Sequence, residues 1–366
     1  MRILHVNLEH AFAGGENQVS FLMRHLRESG HHSTLAAPID GALAHRVRGE
    51  GFEVDELRAG IGHDPRAGFR LRALCVERRP DIVHFHTGRS LTLASYRPRC
   101  LPAVTTRRMD YAPRGAGVYV RWLYAQVDAI VAVCGASRDG LAERGIDPAR
   151  ITVVPSGVAV EHFDRADREE ARAALGIDAE RLVVAIVGSL HARKGHAVLL
   201  RALAALRRRG LEVLCLAAGE GPERASLQRQ AEEAGLAADL RLLGHVPDVL
   251  PVLAAADLAV QPSLAEAFGG AAVEAMACGR AVVASRVGGW LETIGHEQEG
   301  LLVPVGDAEA LSAAMERCLR DPALRQRLGE AGRRRAAAFS TRAMAERNEA
   351  MYQRLLGERP APEDRR

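Results

Sequence analysis

The sequence predicts an α/β protein built from two doubly wound parallel-sheet domains. Three observations predict this class. Short apolar runs alternate with longer helical patterns, each run is continuously apolar, and the series occurs twice along the chain. Continuously apolar strands are typical of parallel sheets with both faces covered by helices. The length of 366 residues is more than one ordinary core requires and suits two.

The elements follow in order along the chain. Six strands of the first domain are predicted at "RILHVN", "HSTLAAP", "DIVHFH", "AVTT", "AIVAVC" and "ITVVP", and five of the second at "LVVAIVG", "EVLCLAAG", "LRLLG", "LAVQPS" and "AVVAS". The domains are predicted to span 1–165 and 166–340, with the seam in the polar stretch "AVEHFDRADREEARAALG". A helix at about 341–356 is expected to pack back on the first domain, and the charged, Pro-rich tail "GERPAPEDRR" is expected to be disordered.

Composition excludes several classes of protein. A net charge of +3 and an aromatic content of 4% give no reason to expect nucleic acid as a partner. The six cysteines form no C-x-x-C pair and are interpreted as core residues in a reducing compartment. The N-terminus has the pattern of a first strand, and no apolar run approaches the ~18 residues of a membrane span. We therefore expect a cytoplasmic protein, or one peripheral on the inner face of the cytoplasmic membrane.

Two glycine-containing loops follow predicted strands. In "HVNLEHAFAGGENQVSFL", Gly14 and Gly15 precede a helix, where they are either an ordinary turn or a close approach to an anion at the helix N-terminus. In "AIVGSLHARKGHAVLL", Arg193 and Lys194 either form a solvated basic turn or neutralise a diphosphate. Neither loop has the spacing of a dinucleotide or Walker A motif.

The stretch "SLAEAFGGAAVEAMACG" places carboxylates on both sides of a glycine pair. Glu266 lies in the loop after a strand, Gly269 and Gly270 free backbone N–H groups at a helix start, and Glu274 lies about one turn into that helix. Such carboxylates either form a solvated helix face or accept hydrogen bonds from hydroxyls on either side of a bound diphosphate. The second interpretation predicts a nucleotide-sugar site.

The stretch "PSLAEAFGGAAVEAMACGRAVVASRVGG" resembles the E-x7-E region of the retaining glycosyltransferases of family 4. These enzymes have the GT-B fold, in which two Rossmann-like domains face a central cleft. Further matching stretches occur in the family's order from about residue 10 to 310: "AGGENQV", "DIVHFH", "VVPSGV", "RKGH", "GEGPER", "LGHVPD" and "GLLVPVGD".

The resemblance implies roles for individual residues. Glu266 would face the donor sugar, Glu274 would bind the ribose, and Lys194 would neutralise the diphosphate. Catalysis would rest on Lys194, Arg193 and Glu266. The remaining donor contacts would come from Gly14, Gly15, Phe268, Gly269, Gly270, His245 and Val246.

Two positions depart from the family pattern. Ser189 stands where the family has an arginine, and Arg193 is a candidate replacement for that cation. The family often has a histidine near the reaction centre where this chain has Arg107 and Arg108. We assign these two arginines, together with His86, to an acceptor or a phosphate. His84, on the same predicted strand as His86, is either structural or part of the cleft.

The resemblance implies that the protein transfers a sugar from a nucleoside diphosphate sugar to a hydroxyl, with retained anomeric configuration. No further cofactor is expected and no metal, because no D-x-D acidic pair lies in a suitable loop. The acceptor would be a glycan or lipid-linked, such as lipopolysaccharide core. The arginine-rich segment 97–121 is either a solvated face or a docking surface for an anionic membrane.

Two other classes of protein remain open. One is a nucleotide-sugar-binding scaffold that has lost catalysis, which the altered Ser189 and Arg107 positions favour and the Glu266–Glu274 pair opposes. The other is a Rossmann oxidoreductase, which requires a G-x-G-x-x-G turn that neither half contains.

Overall fold

The computed structural model describes residues 1–11, 14–60, 64–109, 115 and 117–358. These residues form two compact units, residues 1–157 with the segment from Thr341 onward, and residues 158–340. Each unit has a parallel sheet with helices packed on its faces, as the sequence predicts. The architecture is the predicted α/β class with two Rossmann-like domains.

The first unit contains a seven-stranded sheet in the order β3-β2-β1-β4-β5-β6-β7, with all pairs parallel. Its strands are β1 (Arg2–Val6), β2 (His32–Ala37), β3 (Glu53–Glu56), β4 (Ile82–Phe85), β5 (Ala103–Arg107), β6 (Ala129–Ala132) and β7 (Ile151–Val153). The helices between them are α1 (Gly14–Glu28), α2 (Ala42–Gly49), α3 (Pro65–Arg78), α4 (Gly88–Leu91), α5 (Gly117–Tyr124) and α6 (Gly135–Ala142).

The second unit contains a six-stranded parallel sheet in the order β10-β9-β8-β11-β12-β13. Its helices begin with α7 (Val160–Phe163) and α8 (Arg168–Ala174), before the first strand. The strands are β8 (Val183–Val187), β9 (Leu214–Ala218), β10 (Leu240–Gly244), β11 (Leu258–Gln261), β12 (Ala281–Ser285) and β13 (Leu301–Val303). The later helices are α9 (His196–Arg208), α10 (Arg224–Glu233), α11 (Leu250–Ala255), α12 (Gly270–Ala277), α13 (Trp290–Thr293), α14 (Ala308–Arg320) and α15 (Pro322–Ala336).

The last helix, α16 (Thr341–Gly357), returns to the first unit and packs on α1. Tyr352 on this helix is fully buried there. The rest of the tail, from residue 359, lies outside the described residues.

The boundary between the units differs from the predicted position at residue 165. Val158 forms a bridge to Ser340 and its N–H donates to the Phe339 carbonyl, while α7 packs on α12. Residues 158–165 therefore fold with the second unit, because their backbone and apolar contacts are made there.

Two strands have no counterpart in the sequence prediction. β3 has the sequence "EVDE", and its acidic residues hide the apolar pattern of a strand at the edge of a sheet. β13 is three residues long and is an edge strand of the second unit's sheet, next to β12.

The order of strands fixes where ligands bind. Consecutive connections run in opposite directions from β1 and from β8, so the order reverses between β1 and β4 and between β8 and β11. In doubly wound sheets, ligands bind at the carboxyl ends of the strands next to this reversal. None of the described helices combines the length and the apolar character needed to cross a bilayer.

Candidate functional site

In the second unit, the loop after β8 is held against the segment after β11. A Cβ atom at Gly195 would lie 1.9 Å from the Pro262 carbonyl oxygen, and Gly195 has a φ of 72°. Only glycine fits this contact without strain. The Leu264 N–H also donates to the Arg193 carbonyl at 2.7 Å. These contacts bring the side chain of Lys194 to the carboxyl end of β11.

Lys194 and Glu266 form an ion pair there. The Lys194 ammonium donates to Glu266 Oε2 at 2.5 Å, and the two side chains are 15% and 10% exposed. Such a pair, largely removed from water, is held in place by its surroundings rather than by the ion pair alone. It places one cation beside one carboxylate. A cation attracts a phosphate and a carboxylate accepts hydrogen bonds from hydroxyls, so the pair complements a phosphate next to a polyol.

Helix α12 begins beside this pair at the glycine pair predicted from the sequence. Gly269 has a φ of 79°, and a Cβ atom there would lie 1.5 Å from Trp290 Nε1. The Ala272 N–H donates to the Gly269 carbonyl at 3.0 Å. The N–H groups of Gly269 and Gly270 precede the first intrahelical hydrogen bonds, so this end of α12 can stabilise an anion. Phe268 is 8% exposed and its ring packs near Phe339, which leaves only its backbone for a ligand.

Glu274 lies one turn into α12 and is partly buried. Burial, followed by the negative charge of Asp248, raises the pKa of this carboxyl to about 7. Asp248 in turn accepts a hydrogen bond from His162 Nε2 at 2.9 Å. Hydrogen bonds donated to this carboxylate would favour its charged form and offset part of the cost of its burial.

The other predicted site residues of this unit differ in how far they are exposed to solvent. His245 is exposed and Val246 is partly buried against the core, in the turn after β10. Arg193 is exposed in the 3₁₀ turn Ala192–Lys194, and Ser189 is partly buried at the carboxyl end of β8. The structure thus brings together Lys194, Glu266 and the start of α12, with Glu274 further along the same helix.

In the first unit, Gly15 and Arg108 lie together at the N-terminus of α1. A Cβ atom at Gly15 would lie 3.8 Å from Arg108 Cδ, and Gly14 is the first residue of the helix. The Arg108 guanidinium donates to the His86 carbonyl at 2.8 Å and approaches His86 Nδ1 at 3.5 Å. Burial lowers the pKa of Arg108 to about 10, and the charge of Glu16 opposes this effect.

Arg107 points away from this group. It hydrogen-bonds Tyr124 on α5, whose pKa burial raises and Arg107 lowers. Consecutive residues of a strand face opposite sides of the sheet, which separates the two arginines. The structure therefore joins Gly15, Arg108 and His86, and leaves Arg107 on the other face.

Behind Arg108 lies a buried cluster of three histidines. His5 on β1 is paired with His84 on β4, and His86 follows two residues later on the same face. His5 Nδ1 lies 2.9 Å from His86 Nε2, and His5 Nε2 lies 3.2 Å from Ser33 Oγ. His84 contacts Tyr352 and Thr106, with Nδ1 to hydroxyl and Nε2 to hydroxyl distances of 2.5 and 2.7 Å. Burial lowers the pKa of all three, that of His5 to about 3.

Three residues of these sites, His5, Trp290 and Tyr352, are not among the residues predicted from the sequence. His5 interrupts the apolar strand "RILHV", which is a signal that could have singled it out. Tyr352 and Trp290 carry no local signal, because their roles arise from packing between segments distant in sequence.

Known proteins with a similar sequence or fold identify the family of this chain. Residues 167–335 match the family model for glycosyl transferases group 1, and residues 12–162 match that for glycosyltransferase family 4. The fold is that of solved glycosyltransferases, the GT-B fold. Anabaena Alr3699/HepE, solved in complex with UDP and glucose, is 20% identical over 96% of this chain and 99% of its own, with a TM-score of 0.84. WaaG, a glycosyltransferase involved in lipopolysaccharide biosynthesis, is 19% identical over 96% of this chain and 99% of its own, with a TM-score of 0.71.

The two family models together span nearly the whole chain, and the chain belongs to the group 1, family 4 glycosyltransferases. A curated relative, the D-inositol 3-phosphate glycosyltransferase of Mycobacterium tuberculosis, is 37% identical over 239 residues. That match covers 63% of this chain and 49% of the relative. The chain thus spans about half the length of the curated relatives it matches.

Proposed function

We propose that this chain is a retaining glycosyltransferase that moves a sugar from a nucleoside diphosphate sugar to a hydroxyl acceptor. The observation that carries the proposal is the Lys194–Glu266 pair, 2.5 Å apart, which lies a few residues along the chain from the N–H groups of Gly269 and Gly270 at the start of α12. A cation and amide donors suit a diphosphate, whereas a carboxylate suits the adjacent sugar hydroxyls. Glu274, one turn further along, suits the ribose hydroxyls.

In the proposed reaction, the bond between the anomeric carbon and the β-phosphate oxygen breaks. Negative charge grows on that oxygen, and Lys194 with the N–H groups at Gly269 and Gly270 stabilises it. The acceptor hydroxyl forms the new bond on the same face of the sugar and gives its proton to the departing phosphate. Because fixed cations and amides balance the charge, we propose that the step is independent of metal ions, with Arg193 as a second cation.

The Lys194–Glu266 pair has a consequence for donor binding. In the free protein each group neutralises the other, so each must exchange its partner when the donor binds. Lys194 would take the phosphate and Glu266 the sugar hydroxyls. A donor lacking either part would break the pair without replacing both contacts, which favours the complete nucleotide sugar over its fragments.

For the acceptor, we propose a hydroxyl of a phosphate-bearing bacterial cell-surface glycan or glycolipid, such as lipopolysaccharide core. Arg108, partly buried and with its Cδ 3.8 Å from the Cβ position of Gly15, suits a phosphate group at the N-terminus of α1. A curated relative is named for a phosphorylated acceptor, and one structural neighbour is named for lipopolysaccharide biosynthesis.

We further propose a peripheral contact with anionic membrane through the exposed face of α5. Val118, Tyr119 and Trp122 on this helix are 71%, 42% and 42% exposed, and Arg121 is exposed beside them. Tyrosine and tryptophan favour the headgroup layer, and arginine favours anionic lipid. Part of the arginine-rich segment, residues 110–114 and 116, lies outside the described residues.

The donor site is tested with a panel of UDP-, GDP- and ADP-sugars. One donor should raise the melting temperature and be slowly hydrolysed, and both effects should be lost in Glu274→Ala. Full turnover in both Glu266→Ala and Glu274→Ala would refute the site. Donor binding without hydrolysis or transfer to any acceptor would favour the alternative, a nucleotide-sugar-binding scaffold, which the altered Ser189 position suggests.

The membrane contact is tested by co-sedimentation with phosphatidylglycerol or phosphatidylcholine vesicles. Binding should require the anionic lipid and fall in Val118→Ser and Trp122→Ser. Val76→Ser is a matched control, because Val76 on α3 is 64% exposed in the same unit. Equal losses in the control, or equal binding to both lipids, would contradict the proposal.

A further inference from the structure

We infer that His5 is a positioning residue, which fixes the tautomer of His86 and thereby the orientation of Arg108. The inference rests on the proposed phosphate-binding role of Arg108 and extends it into the interior of the first unit. The side chains concerned form a chain from Arg108 through His86 and His5 to Ser33, which we call the imidazole relay.

The relay begins at the guanidinium, which can only donate hydrogen bonds. Arg108 Nη2 lies 3.5 Å from His86 Nδ1, and its Nη1 donates to the carbonyl oxygen of the same residue at 2.8 Å. A lone pair on His86 Nδ1 therefore attracts the cation, while a proton there would repel it. The guanidinium favours the tautomer of His86 that carries its proton on Nε2.

The tautomer of His86 determines which atoms donate and which accept in the rest of the relay. His86 Nε2 lies 2.9 Å from His5 Nδ1, so the Nε2 proton is donated and His5 Nδ1 accepts. His5 then carries its own proton on Nε2 and donates to Ser33 Oγ at 3.2 Å. Every contact has one donor and one acceptor in this arrangement. In the reverse arrangement, a proton on His86 Nδ1 would face the guanidinium.

Burial keeps the imidazoles of the relay, and that of the neighbouring His84, in the neutral form, which is the form that has two tautomers. His5, His84 and His86 are 0%, 0% and 2% exposed, and burial is the main cause of their lowered pKa values. A neutral imidazole has one donor and one acceptor, whereas the charged form has two donors and could not accept from a neighbour. The relay therefore stays neutral at the pH values where such enzymes work.

The three histidines also place nitrogen atoms within 4.8 Å of one another, which is compatible with a metal ion. Two observations favour the relay instead. The nearby Arg108 cation repels a divalent ion, and both ring nitrogens of His5 and His84 already have hydrogen-bond partners. Zinc binding is accordingly one of the outcomes that the experiment distinguishes.

The experiment uses the full chain with ¹⁵N-labelled histidine. In the wild type, NMR of the ring nitrogens should find both His86 and His5 protonated on Nε2. His5→Phe removes the acceptor and should shift His86 toward the Nδ1-protonated form, whereas His5→Asn retains an acceptor oxygen and should not. His32→Phe is the matched control, because His32 is an exposed histidine at the start of β2 in the same sheet.

Inorganic phosphate serves as the binding probe. His5→Phe should weaken its binding roughly tenfold, the effect of losing about one hydrogen bond to a charged group. His5→Asn and the control should remain within about twofold of wild type. Ser33→Ala changes a single oxygen and serves if His5→Phe fails to fold; it should weaken phosphate binding by roughly threefold, since it releases only the far end of the relay.

The outcomes separate the relay from the proposed role of Arg108. Suppose that His86 and His5 of the wild type are protonated on Nε2 but that Arg108→Gln binds phosphate as well as the wild type does. That result would refute the phosphate-binding role of Arg108, and with it the function inferred for the relay. A wild-type His86 protonated on Nδ1 would overturn the relay itself. So would a joint shift of all three imidazoles on addition of one equivalent of Zn²⁺, because that result indicates a metal cluster.

Discussion

Replacing Glu274 by glutamine is expected to stabilise the free protein at alkaline pH while it weakens nucleotide binding. Burial, and then the charge of Asp248, raises the pKa of this carboxyl from 4.5 to about 7. The folded state therefore holds the proton more tightly than the unfolded state. The favourable contribution is complete below pH 4.5 and is lost as the pH rises through 7.

The full shift corresponds to about 3 kcal/mol at about 1.4 kcal/mol for each pH unit. Glu274 keeps some contact with solvent, which screens its charge, and we expect roughly 1–2 kcal/mol. Glutamine resembles the protonated carboxyl and lacks this penalty. In a domain of this size 1 kcal/mol moves the melting temperature by about 2–4 °C. Glu274→Gln should thus melt roughly 2–8 °C above wild type at pH 8 and at the same temperature at pH 4.5.

The assay is thermal unfolding of both proteins from pH 4.5 to 8.5, without and with UDP. Taking the difference at each pH cancels the titration of all other groups. Glu233→Gln, exposed on α10, is the control and should follow wild type throughout. With UDP present, wild type should recover more of its stability than the variant. A difference that is independent of pH, or a variant less stable than wild type at pH 8, would refute the reasoning.

Three further outcomes are expected. Gly269→Ala should destabilise the second unit by at least about 3 kcal/mol, because its Cβ atom would lie 1.5 Å from Trp290 Nε1, and its melting transition reports this. Lys194→Met should lower turnover at least about 100-fold, against less than about tenfold for the exposed Arg193→Met; equal losses would contradict the roles proposed for them. Tyr352→Phe should cost about 1–2 kcal/mol by removing a hydroxyl from the buried histidine cluster, and a melting temperature equal to that of wild type would contradict this.

The fold was predictable because its signals are local and repeated. Continuous apolar runs predicted eleven of the strands, and the alternation with helices predicted the parallel order. β3 and β13 were not predicted, because an acidic edge strand and a three-residue strand contain no continuous apolar run. The boundary between the units, at Gly157, was not predicted at that residue. It depends on backbone pairing of Val158 with Ser340, which are far apart in sequence.

The candidate site was predictable where residue type and spacing define it. The glycine pair before α12 and the carboxylates around it are one such case, and the basic loop after β8 is another. Pairings across the fold were not predictable, and the contact of Lys194 with Glu266 depends on the close approach that Gly195 permits. Arg107 and Arg108 were assigned together, although the alternation of side chains along a strand could have separated them.

Helix α16 has a consequence for how the chain is made. It completes the first unit, and Tyr352 fills a place in that unit's interior beside His84. A ribosome synthesises this segment only after the whole of residues 158–340 has been made. The first unit must therefore wait for α16 before it can close its core, while the second unit, complete by residue 340, can fold ahead of it.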